Sequence, residues 1–285
     1  MATKSYSEEL VYAATEDDIS LAGVVIRPVG VPVQSASIVW IHGNAATFYD
    51  HPYVLVGREL AALGYTVVSG NTRGHDIATT LWRASDGTPF AGGGGAGWEL
   101  MEDAHYDLAA WVKTAHDLQA GGVVLVGHSA GAHKVVLYAA VHPGERIAGI
   151  ALASPDLRGF RIPGELEVAR QLVAEGRGME VLPAQPFAPW YRQSARTLVS
   201  RAEAADRVFN ATGESVPALE ALRVPVLAFY GDGERNAEDE LDAIRRAATG
   251  APSAETRLIA GAGHFYTGHE ANVARTLAEW AATLR

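Results

Sequence analysis

The sequence predicts an α/β fold with a mostly parallel central sheet and helices on both of its faces. Two observations carry that expectation. Short continuous apolar runs alternate with helix-like stretches, the pattern of parallel strands buried on both faces. Polar clusters (His42-Gly43-Asn44, Ser129, Asp156, Glu234 and His264) fall at the carboxyl ends of those runs. Sheets of this kind bind their ligands at those ends.

The elements follow in chain order. Leu10 to Ala14 and Leu21 to Arg27 flank the acidic turn Glu16-Asp17-Asp18 and read as a hairpin. Ser37 to Ile41 is a short apolar strand, followed by a helix from Pro52 to Leu63 that Gly64 stops. Thr66 to Ser69 is the next strand. An irregular segment with Gly92 to Gly95 precedes a helix from Trp98 to His116. Val123 to Val126, Ile147 to Ala153, Val224 to Tyr230 and Thr256 to Ile259 complete the strands. Helices are expected over Ala132–Val141, Glu238–Ala248 and Glu270–Leu284. Residues 157–221 break the rhythm, with helix-like pieces at Glu165–Glu175 and Tyr191–Ala204 around the proline-rich stretch Leu182–Trp190.

Gly127-His128-Ser129-Ala130-Gly131 lies between a strand run and a helix, which is G-x-S-x-G in the setting that gives the pattern meaning. The glycines permit a strained, tight turn that lifts Ser129 Oγ clear of the sheet edge. The Ala130 N–H, at the helix start, is then aimed at an oxygen that gains negative charge.

A serine hydroxyl is a weak nucleophile near neutral pH, so it needs a base within reach and an acid to orient that base. In sites of this kind the chain order is serine, acid, histidine. After Ser129 the chain offers His133, His142, His264 and His269. His133 and His142 belong to the helix after Ser129 and read as surface or packing residues, while His269 starts or flanks the last helix. His264, in the glycine-flanked loop Gly261-Ala262-Gly263-His264-Phe265, is the expected base. Glu234 is the expected acid, three residues after Gly231, with Asp232 and Asp156 as alternatives. The second oxyanion donor is expected from the loop His42-Gly43-Asn44-Ala45, as the Asn44 or Ala45 N–H or the Asn44 side chain.

Composition narrows the function classes. Apolar residues make up 48% of 285 residues, enough for a sizeable core, so compositional disorder is excluded. A net charge of −10 without a basic block argues against nucleic acid or an anionic membrane as partner. The chain has no cysteine, which removes disulfides, thiolate metal sites and a cysteine nucleophile together. The first nine residues hold no apolar run, and no long apolar stretch follows. Neither a signal peptide nor a membrane span is expected, and the expected location is cytoplasmic. The four consecutive glycines lack the lysine and hydroxyl of a phosphate-binding loop, and the histidines show no metal-binding spacing. No cofactor and no metal are expected.

Together, His42-Gly43-Asn44, Arg73-Gly74-His75, the Ser129 pentapeptide, Gly231-Asp232-Gly233-Glu234 and Gly263-His264-Phe265 resemble the α/β-hydrolase superfamily over Leu21 to Leu284. Gly231-x-x-Glu234 carries Glu where Asp is commoner in that superfamily. Gly70 to Asp76, with Gly97-Trp98-Glu99 through Asp107-Leu108, is similar to a bacterial and fungal branch of siderophore esterases. The resemblance implies an α/β-hydrolase core over residues 1–156 and 222–285, with a helical lid inserted at 157–221. Phe160, Phe187, Trp190 and Tyr191 would give that lid an apolar roof. Trp82, Phe90 and Trp98 bracket the glycine run as an expected pocket rim.

The expected chemistry is hydrolysis of a carboxylic ester or lactone, a small-molecule partner, through an acyl-enzyme on Ser129. Two rivals stand beside it. The same residues serve acyl transfer, lyase or C–C cleavage reactions, or the scaffold binds a ligand and barely turns over. Haloalkane dehalogenase and epoxide hydrolase chemistry is set aside because both need Asp where this chain has Ser129. A homodimer is compatible with the sequence.

Overall fold

The computed structural model describes residues 5–157, 164–184, 189–209 and 217–284. Its sheet runs β1 (Tyr6–Ala14), β2 (Ile19–Pro28), β4 (Thr66–Gly70), β3 (Ser37–Ile41), β6 (Val123–His128), β7 (Ile147–Ala153), β8 (Val226–Gly231) and β9 (Ala254–Ile259) from edge to edge. β1 and β2 pair antiparallel, β2 meets β4 antiparallel, and every later neighbour is parallel. A two-residue strand, β5 (Trp82–Arg83), caps the start of β2.

Period-2 alternation splits the apolar strands between two cores. Ile38, Trp40, Val124 and Val126 face one side, where α1 (His51–Ala62) and α8 (Glu270–Ala281) add Val56, Leu60, Val273, Leu277 and Trp280. Val39, Ile41, Val123 and Leu125 face the other. There α2 (Ala104–Leu118), α3 (Ala130–Val141) and α7 (Ala237–Ala247) supply Leu108, Trp111, Val135, Leu241 and Ile244. Burying each large aliphatic side chain contributes about 1.5–3 kcal/mol. Continuous apolar strands are thus the signature of a sheet with no solvent face.

Between β7 and β8 the chain forms α4 (Glu165–Ala174), α5 (Ala195–Phe209) and the short α6 (Ala218–Ala221). Two expectations need correction. The helix expected from Trp98 begins at Ala104 after a 3-10 turn at Met101–Asp103, because Glu99 is drawn into a buried ion pair instead. The helix expected from Tyr191 begins at Ala195, because Tyr191 OH is held by the Ala96 carbonyl. The glycine run folds back on residues 79–83, with Thr79 opposite Gly94 and Trp82 opposite Pro89.

Candidate active site

Ser129 occupies the bend between β6 and α3 at φ 52°, ψ −120°, a conformation costly for any residue with a Cβ. The two flanking glycines explain how that bend is sterically allowed. A Cβ on Gly127 would lie 2.4 Å from the Gly131 carbonyl oxygen, and one on Gly131 would lie 2.5 Å from that of His42. Ala130 is the first residue of α3, so its N–H has no intrahelical acceptor. Among the described residues the N–H groups of Asn44, Ala45 and Ala130 meet no protein acceptor.

His264 stands on the loop after β9, and its Nδ1 is 2.8 Å from Glu234 Oε2. The other carboxylate oxygen, Oε1, accepts from Ser154 Oγ at 2.5 Å and from the Gly231 N–H at 2.9 Å. Ser154, at φ 42° just beyond β7, also accepts from Tyr266 OH at 2.5 Å. Burial works to raise the Glu234 carboxyl, but the bonds from His264, Ser154 and Gly231 outweigh it and hold the group below the usual carboxylate range. Glu234 is therefore an anion aimed at one imidazole nitrogen, which fixes the other, Nε2, as the proton acceptor.

Of the other acid candidates, Asp232 is spent on the Gly261 N–H at 2.7 Å and is exposed, whereas Asp156 lines the cavity described below. His133 is buried against Phe209, a packing position, and His269 precedes α8 as expected. Among the described residues Ser129 Oγ makes no hydrogen bond. Such contacts often tighten only when substrate binds.

Two buried histidines brace the site. His128 Nδ1 accepts from Tyr53 OH at 2.8 Å, and its Nε2 donates to the backbone carbonyl of His264 at 2.8 Å. His42 Nδ1 donates to the Gly43 carbonyl at 2.8 Å, while Nε2 accepts the Thr72 N–H at 2.9 Å. Burial, reinforced by His264 for the first and by Lys134 for the second, pushes both rings down to about 3. Both are neutral at working pH, each with a fixed tautomer.

Ser129 and His264 open onto a cavity of about 390 Å³ whose walls include Asn44, Tyr53, Met101, Tyr191, Arg201 and Phe265. Trp190 and Tyr191 line it, whereas Phe160 and Phe187 lie outside the described residues. The rim expectation is corrected. Among the described residues, Trp82, Phe90 and Trp98 are not in the lining, because the glycine segment is paired against residues 79–83 instead.

Sequence reasoning missed the ion pairs behind this wall. Lys134 Nζ donates to Glu99 Oε2 at 2.6 Å, and Arg201 Nη2 to Glu99 Oε1 at 2.9 Å. One signal was available. Lys134 is the lone charge in the apolar helix Ala130–Val141, which calls for a buried partner.

The model of the Alpha/beta hydrolase family matches residues 38–276. The chain belongs to that family. Solved α/β-hydrolase structures superpose over nearly the whole chain. A thermostable carboxyl esterase from Bacillus coagulans, in complex with glycerol, has a TM-score of 0.72 at 17% identity, covering 99% of each chain. Est1E from Butyrivibrio proteoclasticus with ferulic acid bound has 0.67 at 18%, covering 96% of this chain and 98% of its own. An esterase from Pyrococcus furiosus has 0.60 at 18%, covering 97% and 92%. At such identities the likeness establishes the fold of this α/β hydrolase and no more. Among curated proteins none matches the sequence. No helix among the described residues is long and apolar enough to cross a membrane.

Proposed function

We propose that this α/β hydrolase cleaves a carboxylic ester or lactone through an acyl-enzyme on Ser129. The observation that carries the reading is His264, paired at 2.8 Å with Glu234 and lining the same cavity as a serine held in a strained bend.

Ser129 Oγ adds to the carbonyl carbon while His264 Nε2 takes its proton. Glu234 keeps the ring in the Nδ1–H tautomer and stabilises the imidazolium as it forms. The Ala130 N–H, with the N–H of Asn44 or Ala45, receives the oxyanion, and losing one such donor costs about 10²–10³ in rate. Collapse breaks the ester C–O bond, and His264 returns the proton to the departing alkoxide oxygen. A water molecule, deprotonated by His264, then releases the carboxylic acid and restores Ser129.

The segment between β7 and β8 acts as a lid in this reading, since its Trp190, Tyr191, Gln193 and Arg201 line the same cavity as Ser129. Aromatic and aliphatic walls suit an ester with an apolar acyl or alcohol group. Hydrolysis of a p-nitrophenyl ester series tests the reading. Wild type should turn over at least one chain length, and Ser129→Ala should fall to the binding background. Equal activity in wild type and Ser129→Ala would refute it.

A further inference from the structure

Arg201 belongs to α5 yet reaches the loop that follows β3. Its Nη2 donates to Asn44 Oδ1, to Glu99 Oε1 at 2.9 Å and to the Ala96 carbonyl at 3.2 Å. Its Nη1 donates to Tyr191 OH at 2.7 Å. Glu99 is the anchor of this cluster, because its Oε2 accepts from Lys134 Nζ at 2.6 Å and Lys134 is tied to Thr72 Oγ1 at 2.9 Å. The Glu99 and Lys134 side chains are each 2% exposed. Burial works against the Glu99 charge, but Lys134 and Arg201 hold the carboxyl at about 2, so these ion pairs persist across the working pH range. A planar guanidinium tied to several acceptors has little freedom left.

The consequence falls on Asn44. A carboxamide has an acceptor end and a donor end, and a guanidinium engages only the acceptor. With Oδ1 so engaged, the Nδ2–H₂ group faces away from Arg201. Asn44 is exposed on the cavity that holds Ser129. Its neighbour Gly43 abuts the serine, since a Cβ placed there would lie 3.1 Å from Ser129 Cβ.

We infer that Arg201 is a positioning residue: by holding Asn44 Oδ1 it presents Asn44 Nδ2–H₂ to the substrate oxygen that turns negative when Ser129 adds. The segment carrying α5 thereby completes the oxyanion side of the cavity, from outside the loops that carry the other donors. Without Arg201 only the long 3.5 Å bond from Tyr191 OH holds Asn44 Oδ1, so the carboxamide rotates more freely and offers Oδ1 lone pairs to that oxygen, which repels it. This inference rests on the acyl-enzyme reading of Ser129.

The test is kcat and KM on one p-nitrophenyl ester for Asn44→Ala, Asn44→Asp, Arg201→Met, Arg201→Lys and the Asn44→Ala/Arg201→Met double variant. Thermal melting of each variant and fluorophosphonate labelling of wild type run alongside. Asn44→Ala and Arg201→Met should each lower kcat about 10²-fold, the lower end of the effect of one oxyanion donor, with KM changed less than about threefold. The double variant should be no worse than the poorer single, because Arg201 acts through Asn44. Asn44→Asp keeps an acceptor for Arg201 but has no donor, so it should be at least as poor as Asn44→Ala. Arg201→Lys should recover part of the loss.

Wild-type kcat in Asn44→Asp, or losses that multiply in the double variant, would overturn the inference. If Arg201→Met does not fold, Arg201→Lys alone and combined with Asn44→Ala takes its place, and a loss in Arg201→Lys that multiplies with that of Asn44→Ala would overturn the inference. A labelled, active wild type with an unimpaired Asn44→Asp sinks this inference only. A wild type that neither labels nor turns over sinks the Ser129 reading and this inference with it.

Discussion

His128 donates from Nε2 to the backbone carbonyl of His264 at 2.8 Å. The residue immediately before Ser129 therefore holds the loop that carries His264, across 136 positions of sequence. Its ring is neutral and fully engaged, because Nδ1 accepts from Tyr53 OH at 2.8 Å. One side chain thus links the serine bend directly to the histidine loop.

His128→Phe keeps an aromatic ring of similar bulk and removes both bonds. It leaves Tyr53 OH and the His264 carbonyl without their partner, at about 1–3 kcal/mol each. Misplacing the base by an ångström costs about 10² in rate. We expect a lowered melting temperature and a kcat reduced about 10²-fold, with little change in KM. Steady-state kinetics and calorimetry on the same preparation check it, and an unaltered kcat would show that the His128 tether does not set the position of His264.

The two neighbouring acids should separate cleanly. Glu234→Gln removes the charge that orients His264 and should lower kcat about 10²–10⁴-fold, with KM little changed. Asp232→Asn should leave kcat within about threefold, because that carboxylate serves the exposed Gly261 N–H at 2.7 Å. Side-by-side assays of the two variants decide, and a larger loss in Asp232→Asn would reverse the assignment.

Much of this was legible in the sequence because it follows from local pattern. Val123 to Val126 announces a strand buried on both faces, Gly127 and Gly131 announce the bend, and Gly231-x-x-Glu234 places its acid one short turn from a strand end. Element starts were less legible where tertiary polar contacts override propensity. Trp98 to Leu100 reads as helix, yet Glu99 is pulled out of it by Lys134 and Arg201. Arg201 itself gave no sign. It sits in Ala195–Phe209, a helix with other charged residues, and only the folded chain brings it to Asn44 across 157 positions. Ser154 was equally silent, since a serine after a strand end has many roles and its bond to Glu234 depends on sheet order.

Gly127→Ala and Gly131→Ala should both destabilise the fold by about 2–4 kcal/mol. The added Cβ in each case meets backbone oxygen at 2.4 or 2.5 Å, and backbone cannot give way as a side-chain tip does. Urea denaturation measures the change. A midpoint within error of wild type for either variant would mean that the bend is looser than described.

Stability should fall on the acid side of neutrality. His42 and His128 lie at about 3 in the fold and His133 at about 4, all from burial first, against 6.5 for an ordinary imidazole. Between those values the unfolded chain binds protons that the folded chain does not, so stability rises with pH there and drops as pH falls below about 6.5. Each ring contributes up to about 1.4 kcal/mol per pH unit within that window, and none above it. Urea midpoints at pH 7.5, 6.0 and 5.0 should decline steadily, while a flat profile would contradict the neutral, buried state of these rings.

The most direct measurement is covalent. A fluorophosphonate incubated with the folded protein should add one adduct by intact mass, mapped by peptide sequencing to Ser129. Ser129→Ala should remain unlabelled, and Glu234→Gln should label much more slowly than wild type. A folded wild type that hydrolyses esters yet takes up no label, or takes it up at another residue, would contradict the assignment of Ser129 as the nucleophile.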